Sequence, residues 1–155
     1  MIKQTAPRIR RAAEADLDDL VELEERTFAA DRISRAQYRR HLGSATAKVL
    51  VARLAGHLIG SAVLFFRSNS PSARLYSLAI ADEARGRGLG RAMLDACERY
   101  ARQRRCQSIR LEVRVSNRVA IALYERHGYQ LIGCREGYYD DGTDALRYEK
   151  CLARG

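Results

Sequence analysis

The sequence predicts an α/β fold of the α+β kind, a mixed and mostly antiparallel sheet of about seven strands flanked by about four helices. Three observations carry this. The apolar period switches between strand and helix values in the order β, α, α, three meandering strands, α, β, α, β, β. The strands on either side of the longest helical segment are expected to run parallel through a right-handed crossover. The chain has 155 residues, 46% apolar and 30% charged, which suits one domain over 1–155. Such a chain buries roughly 70% of its unfolded surface and needs neither disulfide nor metal to hold a core.

Each element has a local reason. Arg8 to Arg11 reads as a short first strand. From Asp16, a plausible N-cap, Leu17, Leu20, Val21, Leu23 and Phe28 recur at helical spacing. Ser34 and Gln37 form a capping-box pattern ahead of Tyr38 and Leu42, and Gly43 can end that helix. Lys48 to Leu54 and Leu58 to Phe66 read as strands around an Ala55-Gly56 turn. Arg67 to Ser72 is a loop, and Arg74 to Ile80 the next strand. A glycine-rich turn opens a long helix through Arg104, with Leu89, Met93, Leu94, Cys97 and Tyr100 on its apolar face. Ile109 to Val115 is a strand, Asn117 caps a helix from about Val119 to Arg126, and Gly128 fits its stop. Tyr129 to Cys134 and Ala145 to Leu152 read as two last strands.

Composition narrows the function classes. The basic N-terminal stretch has no apolar core of the signal-peptide kind, and no apolar run approaches a membrane span, so a cytoplasmic protein is expected. Cys97, Cys106, Cys134 and Cys151 make no zinc spacing and read as free, buried or half-buried thiols. The net charge is +9, yet the arginines are spread along the chain with no nucleic-acid-binding signature, so dedicated nucleic-acid recognition is not expected. His41, His57 and His127 are far apart and read as surface or packing residues.

The most informative segment is Arg85-Gly86-Arg87-Gly88-Leu89-Gly90-Arg91, between a strand and the long helix. Glycines let backbone approach a ligand where a Cβ would collide. The first amides of a helix lack internal partners and sit at the positive end of its dipole. A pyrophosphate suits both, with Arg87 and Arg91 adding full charge. A basic helix-capping turn is the plainer reading of the same residues. The spacing fits neither GxGxxG nor a P-loop.

The Arg85 to Gly90 segment resembles the (Q/R)xxGx(G/A) turn of the GNAT acetyltransferases. The later run Leu111-Glu112-Val113-Arg114-Val115-Ser116-Asn117, then Ala120 to Glu125 and Gly128-Tyr129, is similar to the bacterial ribosomal-protein-alanine N-acetyltransferases (RimI-like). The resemblance covers about Ile9 to Lys150. It implies acetyl-CoA as co-substrate, held along this turn and at a splayed pair of parallel strands. Leu78, Ala79 and Ile80 then offer backbone contacts to the pantetheine, and Arg85 to Arg91 cradle the pyrophosphate. Asn117 could cap its helix or bond the pantetheine amide.

Acetyl transfer to an amine needs a neutral amine, a stabilised oxyanion and a protonated leaving thiolate. Glu112 sits between Leu111 and Val113 on the opposite strand face. On the residues alone it is either a partly desolvated base or the ion-pair partner of Arg110 or Arg114; the resemblance implies the base. Tyr124 is either a core aromatic or a proton donor; the resemblance implies the donor to the sulfur. A backbone N–H near Ile80 is a candidate oxyanion donor. No metal is called for.

The acceptor is the least determined part. Phe28 to Arg40 is expected to form one wall of its site. Asp31-Arg32-Ile33-Ser34-Arg35 stands there in place of the more apolar, acidic stretch of the RimI-like pattern. Tyr138 and Tyr139, in a loop with Asp140, Asp141 and Asp144, fit the tyrosines by which peptide-modifying relatives hold a substrate N-terminus. The expected acceptor is a protein or peptide N-terminal amine, with a small amine or lysine side chain as alternatives. A non-catalytic acetyl-CoA-binding or basic RNA-associated module is the alternative of another class. The expected assembly is a monomer or homodimer.

Overall fold

The computed structural model describes residues 6–152. Seven strands form one sheet in the order β1-β2-β3-β4-β5-β7-β6. They are β1 (Arg8–Arg11), β2 (Ala47–Leu54), β3 (His57–Phe65), β4 (Ser72–Ile80), β5 (Ser108–Arg114), β6 (Gln130–Arg135) and β7 (Ala145–Cys151). Four helices accompany them: α1 (Leu17–Thr27), α2 (Arg35–Leu42), α3 (Leu89–Gln103) and α4 (Arg118–Arg126). The predicted order of elements holds throughout, with boundaries moved by one or two residues. Ser72, read as the end of a loop, already belongs to β4.

The described residues within Met1–Val63 and Ser77–Met93 form one compact unit, and those within Leu64–Tyr76 and Leu94–Gly155 a second. In the first, β1 runs antiparallel to β2, with Ile9 opposite Ala52. Ala55 and Gly56 take φ of 51° and 82°, the left-handed pair that a tight two-residue hairpin turn requires. The core is built from Leu20 and Leu23 of α1, Tyr38 of α2, and Leu50 and Val51 of β2, all at most 1% exposed. The expected box at Ser34 is present: its hydroxyl accepts from Gln37 N at 3.1 Å, while Gln37 Oε1 accepts from Ser34 N at 2.8 Å.

Asp16 departs from expectation. It makes no N-cap bond to α1. Its carboxylate closes the preceding 3-10 turn by accepting from Ala13 N at 2.7 Å. It also takes both ends of the Arg10 guanidinium, at 2.8 and 2.9 Å, and Arg53 Nη2 at 2.8 Å. Two cations outcompete the helix amides for a carboxylate, because charge-assisted bonds are about twice as strong as neutral ones. Those bonds, Arg10 first, hold Asp16 far below the usual carboxylate range against the effect of burial.

A second buried acid, Glu24, organises the segment after α1. Its Oε2 accepts from Ile33 N at 2.9 Å and its Oε1 from the Tyr38 hydroxyl at 2.7 Å. Burial raises the pKa of both groups. Ala29, Ala30, Asp31 and Arg32, between these anchors, are exposed, and Phe28 is half-buried.

In the second unit, β4 pairs with β5 in parallel from Ser72–Ser108 to Leu75–Leu111, and the registered pairing stops there. Strand β7 runs antiparallel to β5 over all seven of its residues, and β6 antiparallel to β7. Leu94, Cys97, Ala101 and Ile109 are completely buried, and Leu111 and Tyr148 nearly so. The cysteines are all free; Cys97 is buried and Cys106 half-buried, but Cys134 and Cys151 are exposed, unlike the sequence reading. No helix among the described residues is long and apolar enough to cross a membrane.

Candidate active site

In the first unit, the chain leaves β4 through a 3-10 turn, Asp82–Ala84, and enters α3 at Leu89. Gly86 and Gly88 have φ of 76° and 79°, a conformation that costs other residues about 1–2 kcal/mol. A Cβ at either position would meet no atom within 4 Å. The glycines are therefore demanded by backbone conformation, and crowding by the protein itself plays no part.

Among the described residues, the backbone amides from Gly86 to Arg91 donate to no carbonyl; the first bond of the helix runs from Ala92 N to Gly88 O at 3.0 Å. Arg87 and Arg91 are exposed, and neither makes an ion pair among the described residues. Arg85 lies 3.3 Å from Asp82. Unpaired amides, a helix dipole and two unpaired guanidiniums fit a diphosphate.

Upstream, Ala81 N donates to Ile59 O at 2.9 Å. A Cβ built on Gly60 would stand 3.4 Å from the Ala79 carbonyl oxygen. Backbone groups alternate sides along a strand, so Ala79 faces β3 while those of Leu78 and Ile80 face the other edge.

In the second unit, Glu112 projects from β5 to the face opposite Leu111 and Val113, as expected, with 11% of its side chain exposed. Neither sequence neighbour is its partner. Arg110 is taken by Glu149 at 2.6 Å and Arg114 by Asp141 at 2.9 Å. Glu112 Oε1 lies instead 3.4 Å from Arg74 Nη2 on β4. The same nitrogen donates to the Tyr138 hydroxyl at 2.6 Å. Arg147 stands opposite Glu112 in the β5–β7 register. Arg74 is the residue that the sequence reading missed; the parallel pairing of β4 with β5 that brings it in is a tertiary contact with no sequence spacing of its own.

Asn117 caps α4 as predicted, its Oδ1 accepting from Ala120 N at 3.2 Å. Gly128, with φ of 90°, stands just past the helix end. Tyr124 is 7% exposed, and its ring lies 5.8 Å from that of Tyr129. Burial first, and then the neighbouring Cys97 and Tyr139, push its hydroxyl pKa upward. Tyr124 therefore stays protonated through the neutral range, as a proton donor must.

Tyr138 and Tyr139 pack edge to face at 5.0 Å. The Arg114 guanidinium lies 4.1 Å from the Tyr139 ring centroid. Asp144 accepts from Gly137 N and Asp141 from Thr143 N, so two of the acids expected to attract a cationic amine are engaged in holding their own loop.

Asp95, Glu98 and His127 form a group with ligand atoms within 4.8 Å of one another. A cation is already in place. The Lys150 ammonium lies 2.9 Å from Glu98 Oε1, and the Tyr129 hydroxyl donates to Oε2 at 3.2 Å. His127 Nε2 lies 3.0 Å from Asp95 and 3.3 Å from Glu98, with no hydrogen bond aligned. The group reads as a structural network around the buried Glu98 carboxylate, with Lys150 as its cation. His127, read as a surface or packing residue, is a member of it.

The model of the acetyltransferase (GNAT) family matches residues 16–129, a span holding the turn, Glu112 and Tyr124. The chain belongs to the GNAT family. It is an N-acetyltransferase, of a family that generally uses acetyl-CoA as co-substrate. A Bacillus subtilis (strain 168) protein provisionally named [ribosomal protein bS18]-alanine N-acetyltransferase is 31% identical over 92% of this chain and 94% of its own. The N-alpha-acetyltransferase RimI of Mycobacterium tuberculosis is 33% identical over 84% of each chain. The crystal structure of the Escherichia coli ribosomal-protein-S18-alanine N-acetyltransferase superposes with a TM-score of 0.85 at 25% identity, covering 97% of this chain and 96% of that one. These matches bear out the resemblance read from the two motifs.

Proposed function

We propose that this GNAT acetyltransferase, acting as a single domain, moves the acetyl group of acetyl-CoA to the α-amino group of a protein or peptide N-terminus. The observation that carries the acetyl-CoA part is that, among the described residues, the amides from Gly86 to Arg91 donate to no carbonyl and the neighbouring Arg87 and Arg91 make no ion pair. The names of the relatives support the N-terminal acceptor.

Bound acetyl-CoA supplies an electrophilic thioester carbonyl and a thiolate leaving group. The amides of the turn and the two arginines hold its diphosphate. Leu78 and Ile80 offer backbone groups to the pantetheine, and Ala79 sets their spacing. Asn117 keeps its side-chain nitrogen for the same ligand while its oxygen caps α4. A backbone N–H near Ile80 stabilises the oxyanion. Glu112 takes the proton of the attacking amine, directly or through a water. Tyr124, protonated, gives its proton to the departing sulfur. An α-amine with a pKa near ~8 asks less of Glu112 than a lysine near ~10.4. Phe28, Tyr138 and Tyr139 contact the acceptor.

The test is turnover with acetyl-CoA and a panel of acceptors. Peptides with free N-termini should be acetylated on the α-nitrogen. Turnover of polyamines or internal lysines alone would replace the acceptor assignment. Failure of acetyl-CoA to raise Tm would remove the co-substrate assignment.

A further inference from the structure

We propose that Arg74 reads the carbonyl oxygen beside the acceptor amine, and so selects α-aminoacyl acceptors over simple amines. The inference rests on the N-terminal acceptor reading above and adds a residue to it.

A guanidinium carries five N–H donors in a planar fork. Arg74 uses one of them well, from Nη2 to the Tyr138 hydroxyl at 2.6 Å. Its Nε is buried and has no hydrogen-bond partner. Among the described residues Nη1 makes no hydrogen bond either, and 38% of the side chain is exposed. A half-buried cation with most of its donors idle is uncommon, and an absent acceptor atom is an ordinary explanation of one. The position is held firmly: Arg74 sits on β4 in register with Arg110 of β5, and its Cζ lies 5.5 Å from the Tyr76 ring centroid.

The second half of the argument is spacing. Glu112 Oε1 and Arg74 Nη2 stand 3.4 Å apart, a carboxylate and a guanidinium side by side. In an α-aminoacyl group the nitrogen and the carbonyl oxygen lie on neighbouring carbons, within about 3–4 Å of each other. An amine docked on Glu112 therefore brings its own carbonyl to the Nη2 end of the Arg74 fork. A polyamine or a lysine side chain has no such oxygen. It would set a second cation beside Arg74, which repels it. The Tyr138 hydroxyl, by accepting from Nη2, orients the fork.

The experiment compares Arg74→Met and Arg74→Lys with the wild-type chain on two acceptors, a short peptide with a free N-terminus and a diamine. For Arg74→Met, loss of a hydrogen bond from a charged donor should raise KM for the peptide about ten- to hundredfold, with a smaller change in kcat. The loss on the peptide should exceed that on the diamine at least tenfold. Arg74→Lys should recover part of the loss, because it restores the charge without the fork. Equal losses on both acceptors, or a fall in kcat alone, would overturn the inference and leave Arg74 as a structural support of Glu112. The acetyl-CoA-induced rise in Tm, measured on each variant, reports whether the fold is intact. If the wild-type chain acetylates the diamine and never the peptide, the N-terminal acceptor reading falls and the role of Arg74 falls with it.

Discussion

Gly88→Ala separates conformational strain from ligand recognition in the turn. The φ of 79° places a non-glycine residue at a cost of about 1–2 kcal/mol. No protein atom lies within 4 Å of the new Cβ, so strain is the whole of the cost to the free protein. For a chain of this length each kcal/mol lowers Tm by about 2–4 °C, which gives a fall of roughly 2–8 °C. The effect on acetyl-CoA should be separate from this. The new methyl group stands among amides that donate to no carbonyl among the described residues, where a diphosphate would have to approach. Loss of one or two bonds to a charged oxygen, each about 1.5–3 kcal/mol, weakens binding at least tenfold. Differential scanning fluorimetry reports the first effect and titration calorimetry with acetyl-CoA the second. A variant that melts earlier yet binds acetyl-CoA within twofold of the parent would refute the assignment of these amides to the diphosphate.

Three more outcomes are expected. Glu112→Gln should lower kcat about 10²–10⁴-fold while acetyl-CoA still raises Tm; near-normal turnover would move the base elsewhere. Asp16→Asn should cost about 2 kcal/mol at neutral pH, less than for a fully buried pair because Arg10 and Arg53 are partly exposed. The folded-state pKa of Asp16 is depressed, so its contribution is complete above the unfolded value near ~3.9 and declines as pH falls below it. The gap between variant and parent in urea melts should therefore narrow by about 1 kcal/mol from pH 7 to pH 3; a gap equal at both would disprove the ion-pair account. Among the thiols, Cys134 and Cys151 should react quickly with a disulfide reagent at pH 8. Cys97, buried and pushed up to about 12, should react only on unfolding, and its early labelling would contradict its placement.

Local patterns were legible from the chain and distant partners were not. The Ser34–Gln37 box, the Asn117 cap and the left-handed Ala55-Gly56 turn depend on residues within a few positions of one another, and each appears as read. Asp16 has the right residue type for a cap, but Arg53, remote in sequence, claims its carboxylate. Sequence spacing sets Glu112 beside Arg110 and Arg114, which share its strand face. Glu149 and Asp141, from distant segments, had already engaged both, leaving Arg74 across the parallel pairing. The turn was legible because positive φ writes itself as glycine, and because helix amides need no side chain to bind an anion. The acceptor stays open in the sequence because residue type alone does not show which side-chain donors remain unused after folding.

Glu24 has a consequence for how this enzyme can change. One concealed carboxylate fastens the chain at Ile33 and Tyr38, and Arg32 ties it back to Glu25 O and Phe28 O, while Ala29 and Ala30 are exposed. Such an arrangement works like a bracket under a replaceable facing. Mutation can redraw those two outer residues without loosening the anchors on either side, so the face of this segment can drift in a lineage while its path stays as it was.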